Sequence, residues 1–160
     1  MMKYLGLAAA LCGGDLLIKD CVKDTLDEKS QKRILGDYVI LTKFYNEGAM
    51  LGALSEHKEL LKGITIFGVG SLAGALIAMG SLEDHRLQKI GLSMMLGGAL
   101  SNSYERMKWG KVTDYISFNC KNEKLRKVVY NLGDFAIFGG TALLAIGECL
   151  DMKNKKFGRR

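Results

Sequence analysis

From Gly63 to Leu82 the chain reads GITIFGVGSLAGALIAMGSL and carries no charge. A run of ~20 such residues is what an α-helix needs to cross a hydrocarbon layer of ~30 Å, and the chain contains no proline to break it. Once one segment belongs in lipid, the remaining backbone must satisfy itself within further helices or lie in water. Inside the run, Gly70 and Gly74 form a small-xxx-small pair that predicts close approach by a neighbouring helix. Gly68 and Gly70 imitate part of a dinucleotide-binding loop. A phosphate cradle does not sit in the middle of an apolar run, so no cofactor is expected.

Three more apolar segments follow the same logic, at about 4–19, 88–106 and 132–150. With 160 residues, 48% of them hydrophobic, and 20 glycines, the chain reads as one small multi-span domain. The net charge of +6 does not indicate a nucleic-acid binder, because the basic residues flank apolar segments instead of forming a face with interleaved aromatics. The tail Lys153, Lys155, Lys156, Arg159 and Arg160 has the pattern of a cytoplasmic membrane flank. The opening YLGLAAALCGG briefly resembles a signal peptide with Cys12 after its cleavage box. Its apolar core starts almost at Met1 and Leu11 precedes the cysteine, so a retained first helix is expected. That helix ends in Asp15 and Lys19, four apart, where carboxylate and ammonium can neutralise each other at the membrane edge.

Residues 20–60 are rich in both signs of charge and read as a water-facing connection. Within them YVILTKFYN, Tyr38 to Asn46, is β-branched and aromatic and predicts one or two strands leading into a turn at Asn46 and Gly48. Residues 107–131 form the second connection. Cys12, Cys21, Cys120 and Cys149 show no paired spacing, and His57 and His85 have no partner at ligand spacing, so no metal is expected. Cys21 and Cys120 fall on one side of the membrane, but sequence supplies no geometry for a disulfide between them.

Four spans fix sidedness by parity. The basic tail puts both termini in the cytoplasm and both long connections outside. Asp15, Lys19, Asn46, Gly48, Glu105, Arg106, Asp114, Asn131 and Asp134 then gather at the outer boundary, and Asn102 shares a helix face with Glu105 and Arg106. Asp114 follows the third helix and Asp134 opens the fourth, so antiparallel helices bring the two carboxyls to one depth. Carboxyls in contact cannot both ionise easily, and such a pair can hydrolyse a peptide without metal or covalent intermediate. One carboxylate takes a proton from the attacking water while its protonated partner donates to the oxyanion and then to the leaving amine.

Five short motifs in order resemble the lipoprotein signal peptidase (signal peptidase II) family. Asp15-Leu-Leu-Ile-Lys19 resembles D-x-x-x-K, and Asn46-Glu-Gly48-Ala49-Met-Leu-Gly52 resembles N-x-G-A-A-F-G. Gly97-Gly-Ala-Leu-Ser-Asn102-Ser-Tyr-Glu105-Arg106 resembles G-G-A-x-G-N-x-x-D-R, Gly110-Lys-Val-Thr-Asp114-Tyr resembles G-x-V-x-D-F, and Tyr130-Asn131-Leu-Gly-Asp134 resembles F-N-x-A-D. The resemblance implies an integral-membrane fold of four transmembrane helices with a small extracytoplasmic β-rich cradle and a lid helix, the latter two from residues 20–60. It implies an aspartic endopeptidase that cuts prolipoproteins before a diacylglyceryl-modified cysteine, with Asp114 and Asp134 as the catalytic pair. Asn46, Asn102, Arg106 and Asn131 would hold the site or the substrate backbone, with Asp15 and Lys19 supporting. A cell-membrane monomer is expected; the alternative is a non-catalytic relative that binds lipidated peptides or a membrane partner. The chain departs from the pattern at Glu105 for Asp, Ser101 for Gly, Leu51 for an aromatic and Gly133 for Ala. The extra methylene of Glu105 is expected to displace Arg106 by about 1 Å, enough to disturb a preorganised site.

Overall fold

The structure is a computed structural model and describes residues 1–27, 30–48, 56–122, 126–156 and 158. It is mostly helical. Helix α1 spans Met2–Thr25, α2 Lys58–Gly80, α3 Arg86–Trp109 and α4 Leu132–Lys156. Strands β1 (Gln31–Ile34), β2 (Val39–Asn46), β3 (Val112–Phe118) and β4 (Val129–Tyr130) form one antiparallel meander in sequence order. The Tyr38–Asn46 expectation is met by β2. Strand β3 was not foreseen, although Val112, Thr113, Tyr115, Ile116 and Phe118 are the residue types a strand favours.

The helices overrun their expected apolar limits. α1 continues past Lys19 to Thr25 and α4 past Leu150 to Lys156, because an amphipathic or charged turn costs a helix little once it leaves the packed region. By length and apolar composition, α2 and α4 suffice to cross a membrane. α2 packs mainly on α3 and turns Ile66, Phe67 and Ile77 outward at 58%, 76% and 64% exposure, an apolar surface suited to lipid. α1 and α3 are 24 residues each, but both carry charged side chains in their length.

Glycine packing lies elsewhere than expected. A Cβ at Gly70 or Gly74 would meet nothing within 4 Å, so this pair brings no helix close within the described chain. The close approaches are on α3: a Cβ at Gly91 would fall 2.5 Å from the Gly140 carbonyl, one at Gly97 would fall 2.6 Å from that of Ala8, and one at Gly98 would strike the Gly133 carbonyl. α3 is therefore the central helix, touching α1 and α4 backbone to backbone. Tyr4, Ala8, Leu76, Leu92 and Leu96 complete the apolar core around it.

Contacts at the two ends show the helices alternating in direction. At one end Gln88 and His85 bond Asp151 at 2.7 and 2.6 Å; at the other, Lys23 meets Glu105 at 2.7 Å and the sheet closes over the bundle. Gly110 makes the change from helix to sheet. It ends α3 at φ 71°, a left-handed conformation glycine adopts without strain, and its N–H closes on the Arg106 carbonyl two residues before β3 begins. Cys21 and Cys120 are both free. Ala49, Met50, Leu51 and Gly52 of the second motif, any lid helix over residues 49–55, and Arg159 and Arg160 lie outside the described residues.

Alanine at Gly91 or Gly98 should lower stability by at least about 1–3 kcal/mol, the usual cost of overpacking. Alanine at Gly70 or Gly74 should be neutral. Thermal unfolding in detergent measures both, and comparable losses at all four positions would contradict the packing.

Candidate active site

The site is built outward from a buried ion pair. Lys19 Nζ lies 2.8 Å from Asp15 Oδ2, and neither residue has any exposure, so the pair sits in the bundle and not at its edge. Lys19 spends its other two protons on Ser101 Oγ at 3.1 Å and Asn102 Oδ1 at 2.7 Å. Because an ammonium only donates, Asn102 must turn its oxygen toward Lys19, which aims its NH2 at Asp134 Oδ1, 3.0 Å away. Asp15 also accepts from Ser101 Oγ at 2.5 Å and from Tyr115 Oη at 3.0 Å.

Two more asparagines are oriented in the same way. Asn131 caps the start of α4: its Oδ1 accepts the Asp134 N–H at 2.9 Å, and Asp134 Oδ2 accepts the Asn131 N–H at 3.0 Å. That reciprocal cap leaves Asn131 Nδ2 pointing at Asp114 Oδ1, 2.6 Å away. Asn46 Oδ1 accepts the Gly48 N–H at 3.1 Å, so its Nδ2 donates to Asp114 Oδ2, also at 3.1 Å. The sheet register makes that contact possible, since Asn46 pairs with Val112 and Phe44 with Asp114, which sets Asn46 diagonally across from the acid.

Asp114 and Asp134 thus share one bridging residue, Asn131, and line one cavity of about 220 Å³. Asn46, Asn102 and Arg106 line its polar side, and Tyr130, Ile137 and Phe138 its apolar side. Tyr130 also packs against Phe118, Phe135 and Phe138 in tilted or edge-on contacts at centroid distances of 6.1, 5.7 and 6.2 Å, which makes that wall aromatic. Burial first, and then the neighbouring charge of Asp134, push Asp114 up to about 7, against the opposing pull of the Asn46 and Asn131 amides. Burial and Asp15 raise the Tyr115 hydroxyl as well, so it remains a proton donor throughout the accessible pH range.

Glu105 and Arg106 part company. Glu105 is buried; its Oε2 accepts from the Thr113 N–H at 2.7 Å and its Oε1 from Thr113 Oγ1 at 2.9 Å, and Lys23 approaches that same Oε1 from the rim of the bundle at 2.7 Å. Glu105 thereby fixes Thr113, the residue before Asp114. Arg106 turns the other way, donating from Nη2 to the Gly48 carbonyl at 2.8 Å; among the described residues its buried Nε has no partner. The structure brings all ten sequence-predicted residues into this one network, and adds Ser101, Thr113, Tyr115 and Lys23, which sequence reasoning did not assign to it. Among the described residues no group of three or more His, Cys, Asp or Glu is placed to hold a metal.

Replacing Lys19 by methionine would leave Asp15 buried without its counter-charge, and should cost about 3–5 kcal/mol. Denaturant unfolding in detergent checks this; a loss below 1 kcal/mol, the worth of an exposed pair, would contradict the burial.

Comparison with known proteins gives the family and the fold. A lipoprotein signal peptidase of Moorella thermoacetica is 28% identical over 147 residues, 89% of this chain and 90% of the relative. One from Francisella tularensis is 29% identical over 155 residues, 95% of this chain and 94% of the relative. Two solved structures, each described as a bacterial membrane enzyme, share the fold: TM-scores are 0.82 and 0.76 at 23% and 22% identity, covering 97% and 91% of this chain and 92% of each of theirs. The family model described as Signal peptidase (SPase) II matches residues 7–150, and the chain belongs to the signal peptidase II family.

Proposed function

We propose that this protein is an intramembrane aspartic endopeptidase that removes signal peptides from diacylglyceryl-modified prolipoproteins, with Asp114 and Asp134 as its catalytic pair. One observation carries the reading: Asn131 bonds both carboxyls and turns them into a single cavity. The names of the relatives supply the substrate class, since they are lipoprotein signal peptidases.

In the proposed reaction Asp114, raised to about 7, carries the shared proton. Asp134 stands in the first turn of α4, where the N–H ends of the helix favour a negative charge, and acts as the base. It draws a proton from a water held between the carboxyls as that water attacks the scissile carbonyl. Asp114 gives its proton to the carbonyl oxygen; as the resulting diol collapses, Asp134 passes its proton to the leaving amine and Asp114 takes one back from a diol hydroxyl, which restores the pair. Arg106 lines the cavity and presents its positive charge there, and the aromatic wall of Tyr130 and Phe138 suits an apolar segment beside the cut.

All four helices cross the membrane in this reading, as a single domain over residues 1–160. α1 and α3 keep their charges out of lipid by pairing Asp15 with Lys19 and enclosing Glu105. Both termini are cytoplasmic, and the sheet and carboxyls face outward. The chain works as a monomer, and its substrate enters sideways from lipid because its lipid-modified cysteine is anchored there.

Asp114→Asn and Asp134→Asn should each lower cleavage of a lipid-modified prolipoprotein by about 10²–10⁴-fold, with no cleavage of an unlipidated precursor by the parent. A gel-shift assay in detergent measures this, and retention of activity in either variant removes the pair from the mechanism. The pH profile has a definite sign. Hydrolysis needs one proton on the pair, and that proton leaves as pH rises through the Asp114 value, so kcat/KM should fall on the alkaline side with a midpoint near 7. A rate still rising at pH 9 would contradict it.

A further inference from the structure

We propose that Tyr115 is a positioning residue whose hydroxyl locks the strand carrying Asp114 to the helix carrying Asp134. The inference rests on the reading of those two acids as the catalytic pair, but its geometry is independent of it. Tyr115 is 3% exposed and its Oη has two partners: it donates to Asp15 Oδ1 at 3.0 Å and accepts the Leu132 N–H at 3.0 Å. The direction of both bonds is fixed, because a carboxylate can only accept and a backbone N–H can only donate.

Each partner is significant for a different reason. Leu132 is the first residue of α4, so its N–H is one of the donors that no helical carbonyl can satisfy. Asp134 lies two residues beyond it, and Asp114 immediately precedes Tyr115. Asp15 has no exposure and is also bound by Lys19 and Ser101. The hydroxyl therefore fastens β3 and the start of α4 to the same buried point on α1.

Backbone pairing does not do this job. The β3–β4 ladder consists of Ile116 with Tyr130 and Ser117 with Val129, both farther along β3 than Asp114. At the level of the two acids, β3 and the α4 start are joined by two side-chain links, Asn131 to Asp114 and Tyr115 to Leu132. The first of these belongs to the pair itself and must tolerate its changes of charge. The second stays neutral throughout, since burial and Asp15 keep the phenol protonated. The motif that this segment resembles ends in Phe, which would fill the same space and make neither bond.

The test compares Tyr115→Phe with Ser101→Ala, Asp114→Asn and Asp134→Asn in the full chain in detergent. Tyr115→Phe keeps the ring, so it should fold, with kcat about tenfold lower and KM within twofold, the signature of misplaced catalytic groups and not of lost substrate binding. Hydrogen exchange of the peptide containing Leu132 should accelerate in Tyr115→Phe and stay at the parent rate in Ser101→Ala, which removes a bond to Asp15 but none to α4. The proposal is overturned if Tyr115→Phe leaves kcat and exchange unchanged, if Ser101→Ala loosens the Leu132 peptide equally, or if Tyr115→Phe fails to fold, which would make the role structural. A parent that does not cleave, or aspartate variants that do, would defeat the proposed function alone, and the exchange comparison would still decide for or against the lock.

Discussion

The ion pair between Asp15 and Lys19 is the interaction on which the rest of this molecule depends. Two charges without any water contact carry a desolvation penalty of several kcal/mol each, and the attraction between them offsets it only if every remaining donor and acceptor is used. Ser101, Asn102 and Tyr115 meet that demand, and they come from α3 and β3. Burying one pair on α1 therefore obliges a neighbouring helix and a strand to converge on it. The cavity with its two carboxyls is the outer layer of that convergence, reached from Lys19 through Asn102 to Asp134 and from Asp15 through Tyr115 to the start of α4.

The asparagines convert this buried electrostatics into direction. Each has one end taken by a group whose polarity is not negotiable: an ammonium at Asn102, the Asp134 N–H at Asn131 and the Gly48 N–H at Asn46. The other end of each must then present NH2 to a carboxylate. No rotation of these amides is free, and the two acids are held by donors that cannot turn into acceptors. Such a frame suits chemistry in which charge moves from one oxygen to another while the scaffold stays still.

How far the sequence disclosed this arrangement depends on the kind of signal each residue gives. Helices α2 and α4 were legible from uncharged length, β2 from its β-branched and aromatic run, and the pairing of Asp114 with Asp134 from parity. Strand β3 is hidden because residues 107–131 read only as a connection, and Gly110, which divides α3 from β3, shows its role through its positive φ. Gly70 and Gly74 misled, since small residues four apart describe a surface that permits close contact without saying that anything makes it. The glycines that do make contact, Gly91, Gly97 and Gly98, are embedded in a helix of mixed polarity. Glu105 misled differently: adjacency to Arg106 suggested a shared task, but neighbouring positions on a helix point about 100° apart, and the two serve Thr113 and Gly48 respectively.

The glycine seam between α3 and α4 has a mechanical consequence. Where Gly91 faces Gly140 and Gly98 faces Gly133, main chain rests on main chain, and no side chain lies between them to bend or change rotamer. Sliding or prying these helices apart would require lifting one whole backbone over another, so together they behave as a rigid post. An incoming peptide is therefore accommodated by the side chains that line the cavity, Phe138 and Tyr130 among them, and tolerance of varied guests is a property of those rings, never of the post.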